Sequence, residues 1–223
     1  MKIFLNLLAA KQGGQVTRAK EFIKRFYANS NKNDQLIIVV SNLLEIKTRK
    51  SVKIIRITFP FQKNHWLLRF IWENTKQIFL INLLRPDVYL TFSHSLPFLN
   101  IEIPKIVAVS NLAPFSKLAL KNNTLLGNLK LFFQKKMIIF STNKASSVIS
   151  LSNEGKKYLI NYGIPKNKIS VIPNGVEKQN YTLRTKLFKS NKSNYILYVS
   201  HFYRYKNFEQ LIEAYSKLEK KIM

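Results

Sequence analysis

Ala145-Ser-Ser-Val-Ile-Ser-Leu-Ser-Asn-Glu154, followed after one helix length by Tyr162-Gly-Ile-Pro-Lys-Asn-Lys-Ile-Ser-Val-Ile-Pro-Asn-Gly-Val176, decides how this 223-residue chain folds. Val148 to Leu151 is a strand-length apolar run, and Ile169 to Ile172 is another; both are rich in β-branched residues. The intervening helix, near Asn153 to Tyr162, has clear punctuation. Ser152 can cap its start, Gly163 can take the left-handed position after its end, and Pro165 prevents continuation. A strand, a helix and a second strand in that order form a βαβ unit, which requires a parallel sheet. Pro173-Asn174-Gly175 then reads as a turn, because Asn and Gly tolerate positive φ.

The same alternation extends to both sides. Ile3 to Leu8, Leu36 to Val40, Val52 to Ile57, Val88 to Thr91, Lys105 to Val109 and Tyr195 to Val199 are further strand-length runs. Ala19, Phe22, Ile23 and Phe26 keep the spacing of a helix that packs one face, as do Phe208, Leu211, Ile212, Tyr215 and Leu218. The expected fold is therefore α/β, a Rossmann-like parallel sheet flanked by helices, over residues 1–176. Residues 177–194 turn polar and basic, with Arg184, Lys186, Lys189 and Lys192, and read as a linker. Residues 195–223 supply only the first strand and helix of a second Rossmann-like domain. A βα pair cannot bury its own apolar surfaces, so that domain is expected to be incomplete.

Composition narrows the function classes. With 46% apolar and 22% charged residues the chain is not disordered, and with no cysteine it has neither disulfides, thiolate metal sites nor cysteine catalysis. A reducing, cytoplasmic compartment is the default. Three histidines offer no metal-ligand spacing, and no metal or tightly held cofactor is expected. The 37 basic residues against 11 acidic ones give +26, which points to an anionic partner: a phosphate-rich ligand, anionic lipid or nucleic acid. AT-rich coding raises lysine but does not explain the shortage of acids. Sixteen Phe and ten Tyr beside that charge would suit a nucleic-acid module, yet they are spread through strands and helices rather than on one basic face, so nucleic acid is the least favoured partner.

Two apolar segments bear on membranes. Met1 to Ala10 is interrupted by Asn6 and fits a buried first strand better than a signal peptide. His65 to Leu84 is broken by Arg69, Glu73, Lys76 and Gln77 and does not span a bilayer. With Trp66 and Phe70 it either lies on a membrane surface or covers the sheet as a helix, the latter pattern being the commoner.

Taken in order, residues 145–176 are similar to the last N-domain unit of family 4 glycosyltransferases, GT-B enzymes that move a sugar from a nucleotide donor to an acceptor. Tyr195-Ile-Leu-Tyr-Val-Ser-His-Phe-Tyr-Arg-Tyr-Lys206 resembles the opening of that family's donor domain. There the resemblance implies two cations on the donor diphosphate. Lys206 keeps the second position, while Ser200 and His201 replace Gly and Arg at the first unless Arg204 reaches the same phosphates. Solvated loop cations are the alternative for Arg204 and Lys206. Lys11-Gln-Gly-Gly-Gln-Val16 resembles the family's Gly-Gly turn, which implies that Gly13 and Gly14 let backbone approach the donor phosphates; an ordinary strand-to-helix turn looks the same. The G-x-G-x-x-G fingerprint of dehydrogenases is absent.

Residues 85–94 and 104–115 lie where the family has two strand ends facing the acceptor, the second often closing with His. Here Ser110 and Asn111 stand at that end and His94 is the nearby imidazole, with a core or surface histidine as the alternative. Asn174 and Gly175 occupy the interdomain turn. The family pattern runs on past residue 223, where the resemblance implies a carboxylate pair on the donor sugar and ribose. A truncated glycosyltransferase is thus the leading expectation, its co-substrate a nucleotide-sugar and its acceptor a cell-envelope lipid or polysaccharide intermediate, held peripherally on the inner face of the plasma membrane. The alternatives are a catalytically inactive remnant with at most acceptor or anionic-membrane binding, and a nucleic-acid-binding module.

Overall fold

The computed structural model describes residues 1–10, 14–41, 53–59, 66–121, 124–175, 196–200 and 206–222. Seven strands form one sheet: β1 (Lys2–Asn6), β2 (Gln35–Val40), β3 (Lys53–Thr58), β4 (Val88–Thr91), β5 (Lys105–Val109), β6 (Ser147–Ser150) and β7 (Ile169–Val171). Their order is β3-β2-β1-β4-β5-β6-β7, and every neighbouring pair is parallel. The helices are α1 (Gly14–Asn29), α2 (Trp66–Asn74), α3 (Lys76–Leu84), α4 (Lys117–Lys121), α5 (Leu125–Lys144), α6 (Asn153–Asn161) and α7 (Phe208–Ile222).

A parallel sheet is covered on both faces, so its strands are apolar throughout while alternate side chains serve different cores. Phe4, Ile37, Val39 and Tyr89 point to one side, where Trp72 of α2, Ile81 of α3, Ile138 of α5 and Leu159 of α6 meet them. Ile3, Leu5, Leu36, Ile38 and Leu90 point to the other, against Ala19 and Ile23 of α1. Asn6, on the same side of β1 as Phe4, is therefore directed into the first core.

The chain divides into two compact units. The first is Met1–Phe115 with Phe133–Asn174, and it contains all seven strands; the second is Ser116–Phe132 with Gly175–Met223. In the second unit α7 forms as expected, with an acidic residue, Glu209, in its first turn. The strand expected over Tyr195 to Val199 does not form in its described part: residues 196–200 have no strand pairing, and Ile196, Leu197 and Val199 are exposed. A strand exists only through a neighbour's hydrogen bonds, and among the described residues this unit has no other strand. Val52 and the whole of the expected linker 177–194 lie outside the described residues.

The segment His65 to Leu84 is not one helix. It breaks at Thr75 (φ −124°, ψ −83°), whose Oγ1 donates to the Ile71 carbonyl at 2.8 Å. Trp72, Gln77 and Ile81 are buried, so both pieces cover the sheet. Among the described residues no helix is long and apolar enough to cross a membrane.

The α6 caps form as its sequence dictates. Ser152 Oγ accepts the Gly155 N–H at 3.1 Å, and Gly163 takes φ +86°. Gly155 sits so close to β6 that a Cβ there would lie 2.5 Å from Ser150 Oγ and 3.5 Å from both Leu112 methyls. Ser150 is buried and its hydroxyl is already committed to the Ser152 carbonyl at 2.9 Å. Gly155→Ala is thus expected to lose about 1–3 kcal/mol through overpacking, reversing the ~1 kcal/mol that alanine normally adds to a helix. Denaturant unfolding of the variant checks this; a net gain would mean that Ser150 swings aside freely.

Candidate functional site

In an open parallel sheet the helices diverge where strand order reverses, leaving a crevice at the carboxyl ends of the strands. Here the reversal lies between β1, which leads outward to β2 and β3, and β4, which leads the other way. The carboxyl ends of β1, β4 and β5 therefore lie along this edge, with Gly14 at the start of α1 and His94, Ser110 and Asn111 on the loops after β4 and β5.

His94 follows β4 in a left-handed conformation, φ +63°, which a non-glycine residue holds only when its surroundings fix it. Its Nδ1 lies 3.2 Å from the Ala108 carbonyl oxygen and 3.4 Å from the Ser110 amide nitrogen. One nitrogen cannot both donate to the carbonyl and accept from the amide. The shorter contact assigns the proton to Nδ1, which leaves a lone pair on Nε2, 3.5 Å from the Gln15 side-chain nitrogen on the first turn of α1. Burial, helped by the positive charges of Arg18 and Arg69, lowers the pKa of His94 to about 4, against the opposing Ala108 bond. The ring is therefore neutral near pH 7, a hydrogen-bond acceptor rather than a cation.

The surroundings of that ring are polar and ordered. Thr91 Oγ1 and Ser93 Oγ are 2.6 Å apart, and Ser93 Oγ is 3.2 Å from Ser95 Oγ, a run of hydroxyls down the loop after β4. Arg18 of α1 stacks over the Phe92 ring at 4.4 Å, and burial lowers its pKa. Asn111 is spent locally: its Oδ1 accepts the Ala113 N–H at 3.1 Å, opening the 3-10 turn Ala113–Phe115.

Beneath this edge lies a buried polar group that sequence reading missed. Asn6 Nδ2 donates to Glu73 Oε1 at 2.9 Å and to the Tyr89 hydroxyl at 3.0 Å, while its Oδ1 accepts the Leu8 N–H at 2.9 Å. Gln77 Nε2 donates to the same Tyr89 oxygen at 3.1 Å. Burial raises the Glu73 pKa against the opposing Arg69 charge, 3.9 Å away, and the Asn6 bond. Burial and the neighbouring Glu73 also raise that of Tyr89. Asn6 and Glu73 were visible in the sequence only as interruptions of apolar runs. Those interruptions were the signal, since polar residues inside an apolar strand and helix must find partners.

The remaining expected positions fare differently. Gly14 opens α1, and a Cβ there would meet nothing within 4 Å, so crowding does not require glycine. Gly13, His201 and Arg204 lie outside the described residues. Neither Asn174 nor Gly175 takes positive φ, so the Pro-Asn-Gly turn does not use the freedom that motivated reading it as a left-handed turn. The chain leaves β7 there in the open, both residues exposed. In the second unit Lys206 is exposed just before α7, and its carbonyl accepts the Tyr198 hydroxyl at 2.8 Å. No group of three or more metal-ligating side chains occurs among the described residues.

A model of Glycosyltransferase Family 4 matches residues 12–180, well over half of the sequence. The chain belongs to glycosyltransferase family 4. No curated protein matches it in sequence. Among solved structures, UDP-GlcNAc 2-epimerase from Neisseria meningitidis bound to UDP-GlcNAc is 13% identical, with a TM-score of 0.51 over 77% of this chain and 45% of its own. The S. aureus MnaA-UDP co-structure is 16% identical, with a TM-score of 0.51 over 76% and 43%. Lipopolysaccharide outer core galactosyltransferase WaaB in its apo form is 15% identical, with a TM-score of 0.46 over 79% and 46%. The chain thus spans about half the length of the solved structures it matches. At such identities the likeness concerns the fold: the α/β architecture of one half of a GT-B chain.

Proposed function

We propose that this family 4 chain forms the acceptor side of a GT-B glycosyltransferase that uses a nucleotide-sugar donor and a cell-envelope lipid or polysaccharide acceptor. The observation that carries the reading is the neutral His94 ring at the switch point of a family 4 domain, its Nδ1 proton held by Ala108 and its Nε2 lone pair turned to the start of α1. An acceptor on Nε2 and the hydroxyls of Ser93 and Ser95 suit a polyhydroxylated substrate. Ser110, whose amide lies beside the ring, completes that acceptor-side cleft, while Asn111 shapes the turn behind it.

On the donor side, Gly13 and Gly14 allow backbone to approach a diphosphate, and His201, Arg204 and Lys206 supply its counter-charge. Leaving-group stabilisation of this kind is the main catalytic task where a diphosphate departs. The carboxylate pair that the resemblance implies has no counterpart among residues 1–223, so transfer is proposed to need donor-domain residues besides these. The domain limits 1–176, 177–194 and 195–223 belong to the same proposal.

UDP is the probe that tests the donor side, since two of the matched structures hold UDP or a UDP-sugar. Titration calorimetry is expected to give weak binding to the chain, and Lys206→Ala is expected to weaken it between about fivefold and a hundredfold, the range of one charge-assisted phosphate contact. Equal affinity in the variant would remove Lys206 from the site. No binding at millimolar UDP would remove the donor reading for this chain.

A further inference from the structure

Two arginines of the first compact unit bear on His94, and neither has its charge met by the protein. Arg18 follows Gln15 by one turn of α1, and its guanidinium lies over the Phe92 ring at 4.4 Å. Phe22, one turn further on, meets the same ring edge-on at 5.6 Å, so aromatic packing fixes where that charge is carried. Among the described residues no carboxylate pairs with Arg18, and it is half-buried. Arg69 is on α2, which covers the opposite face of the sheet from α1. Its Nε is buried and, among the described residues, has no hydrogen-bond partner. The carboxylate beside it, Glu73, has Oε1 held by Asn6 and Oε2 3.9 Å from that Nε, beyond hydrogen-bond reach.

The donors and acceptors at this place select the ligand. A guanidinium only donates, in a planar fork that matches a carboxylate or a phosphate. His94 Nε2 only accepts, and its lone pair meets nothing nearer than the Gln15 amide nitrogen at 3.5 Å. A neutral sugar would satisfy Nε2 but leave two partly buried cations without a counter-charge, which is costly. A carboxylate alone would answer the arginines but bring no proton to Nε2. One small molecule carrying both an acidic group and hydroxyls answers the whole set.

We propose that the acceptor of this chain is an acidic sugar, whose carboxylate or phosphate is received by Arg18 and Arg69 while a hydroxyl donates to His94 Nε2. The inference rests on the acceptor-side reading of this cleft and names the chemistry of what enters it. Its test needs no sugar nucleotide, so it can fail while UDP binding stands, and UDP binding can fail while it stands.

Glucuronate, glucose 6-phosphate and glucose are titrated against the full chain by ligand-observed NMR at fixed ionic strength. At least one of the two acidic sugars is expected to bind about tenfold tighter than glucose or more, and the one preferred tells whether the acid is a carboxylate or a phosphate. Arg18→Gln with Arg69→Gln is expected to abolish that preference. Lys20→Gln with Lys24→Gln removes the same charge from exposed positions of α1 and is expected to keep it. Arg18→Lys with Arg69→Lys retains the charge without the fork and is expected to weaken acid binding about threefold or more, which decides the matter if the glutamine pair loses its circular dichroism. Equal affinity for all three sugars overturns the proposal, as does an arginine variant that keeps the preference. Equal loss in the lysine control would assign the effect to the net charge of +26 and overturn it too. If UDP displaces the acidic sugar and the arginine variant loses UDP, the two cations belong to the donor and the proposal falls.

Discussion

Asn6→Ala is expected to lower the unfolding free energy by about 3–5 kcal/mol, although it removes only a carboxamide. The side chain is fully buried and holds three groups from three parts of the chain: the Leu8 amide, the Glu73 carboxyl and the Tyr89 hydroxyl. Each buried polar group left without its partner costs about 1–3 kcal/mol, whereas the bond itself is worth about 1. Tyr89 keeps Gln77, so the loss falls mainly on the Leu8 N–H and on Glu73. Against a total stability of about 5–15 kcal/mol for a domain, the variant would melt about 10 °C lower. Urea denaturation followed by circular dichroism measures the change. A loss below about 1 kcal/mol would mean that water takes over the Asn6 contacts and that the group is less enclosed than its geometry implies.

Acidification is the second perturbation with a large expected effect, and it acts through His94. Its folded pKa of about 4 lies below the 6.5 of a free imidazole, so the unfolded chain binds a proton before the folded chain does. The stability tied to the neutral ring is fully present above pH 6.5 and is lost as pH falls towards 4, about 3 kcal/mol in all. His94→Asn removes the titration while keeping a side chain that tolerates positive φ. Denaturant midpoints across this pH range should fall steeply for the parent and much less for the variant, whatever their separation at pH 7. Parallel curves would show that the ring is solvated and titrates normally. Glu73 has the opposite sign: its raised pKa gives a contribution that is present at low pH and disappears as pH rises through the folded value.

Local chemistry explains which features could be read in advance. β4 and β5 begin and end at the residues expected, because a buried parallel strand is a continuous apolar run, here opened after Pro86-Asp87 and after Pro104. Both ends of α6 were legible because caps are properties of a few adjacent residues. α5 was not singled out, since its apolar residues are distributed around nearly the whole helix, serving the core in one half and facing solvent in the other. Nothing local separates those two uses. The break at Thr75 depends on a single hydroxyl turned back on its own helix. His94 was picked out as an imidazole near a strand end, but its tautomer comes from Ala108, on the neighbouring strand, and its neutrality from burial. No spacing rule encodes either.

The strand order has a consequence for how the chain is made. β1 precedes the other six strands of the sheet in the chain, yet it lies in the interior of the sheet, with β2 on one side and β4 on the other. Ile3 pairs with Leu36 soon after synthesis but waits for Val88 to close its second edge. Until then one side of an apolar strand is bare, open to any chain able to add a strand. The acid-poor, lysine-rich composition gives every copy the same sign of charge, and repulsion between copies opposes that pairing.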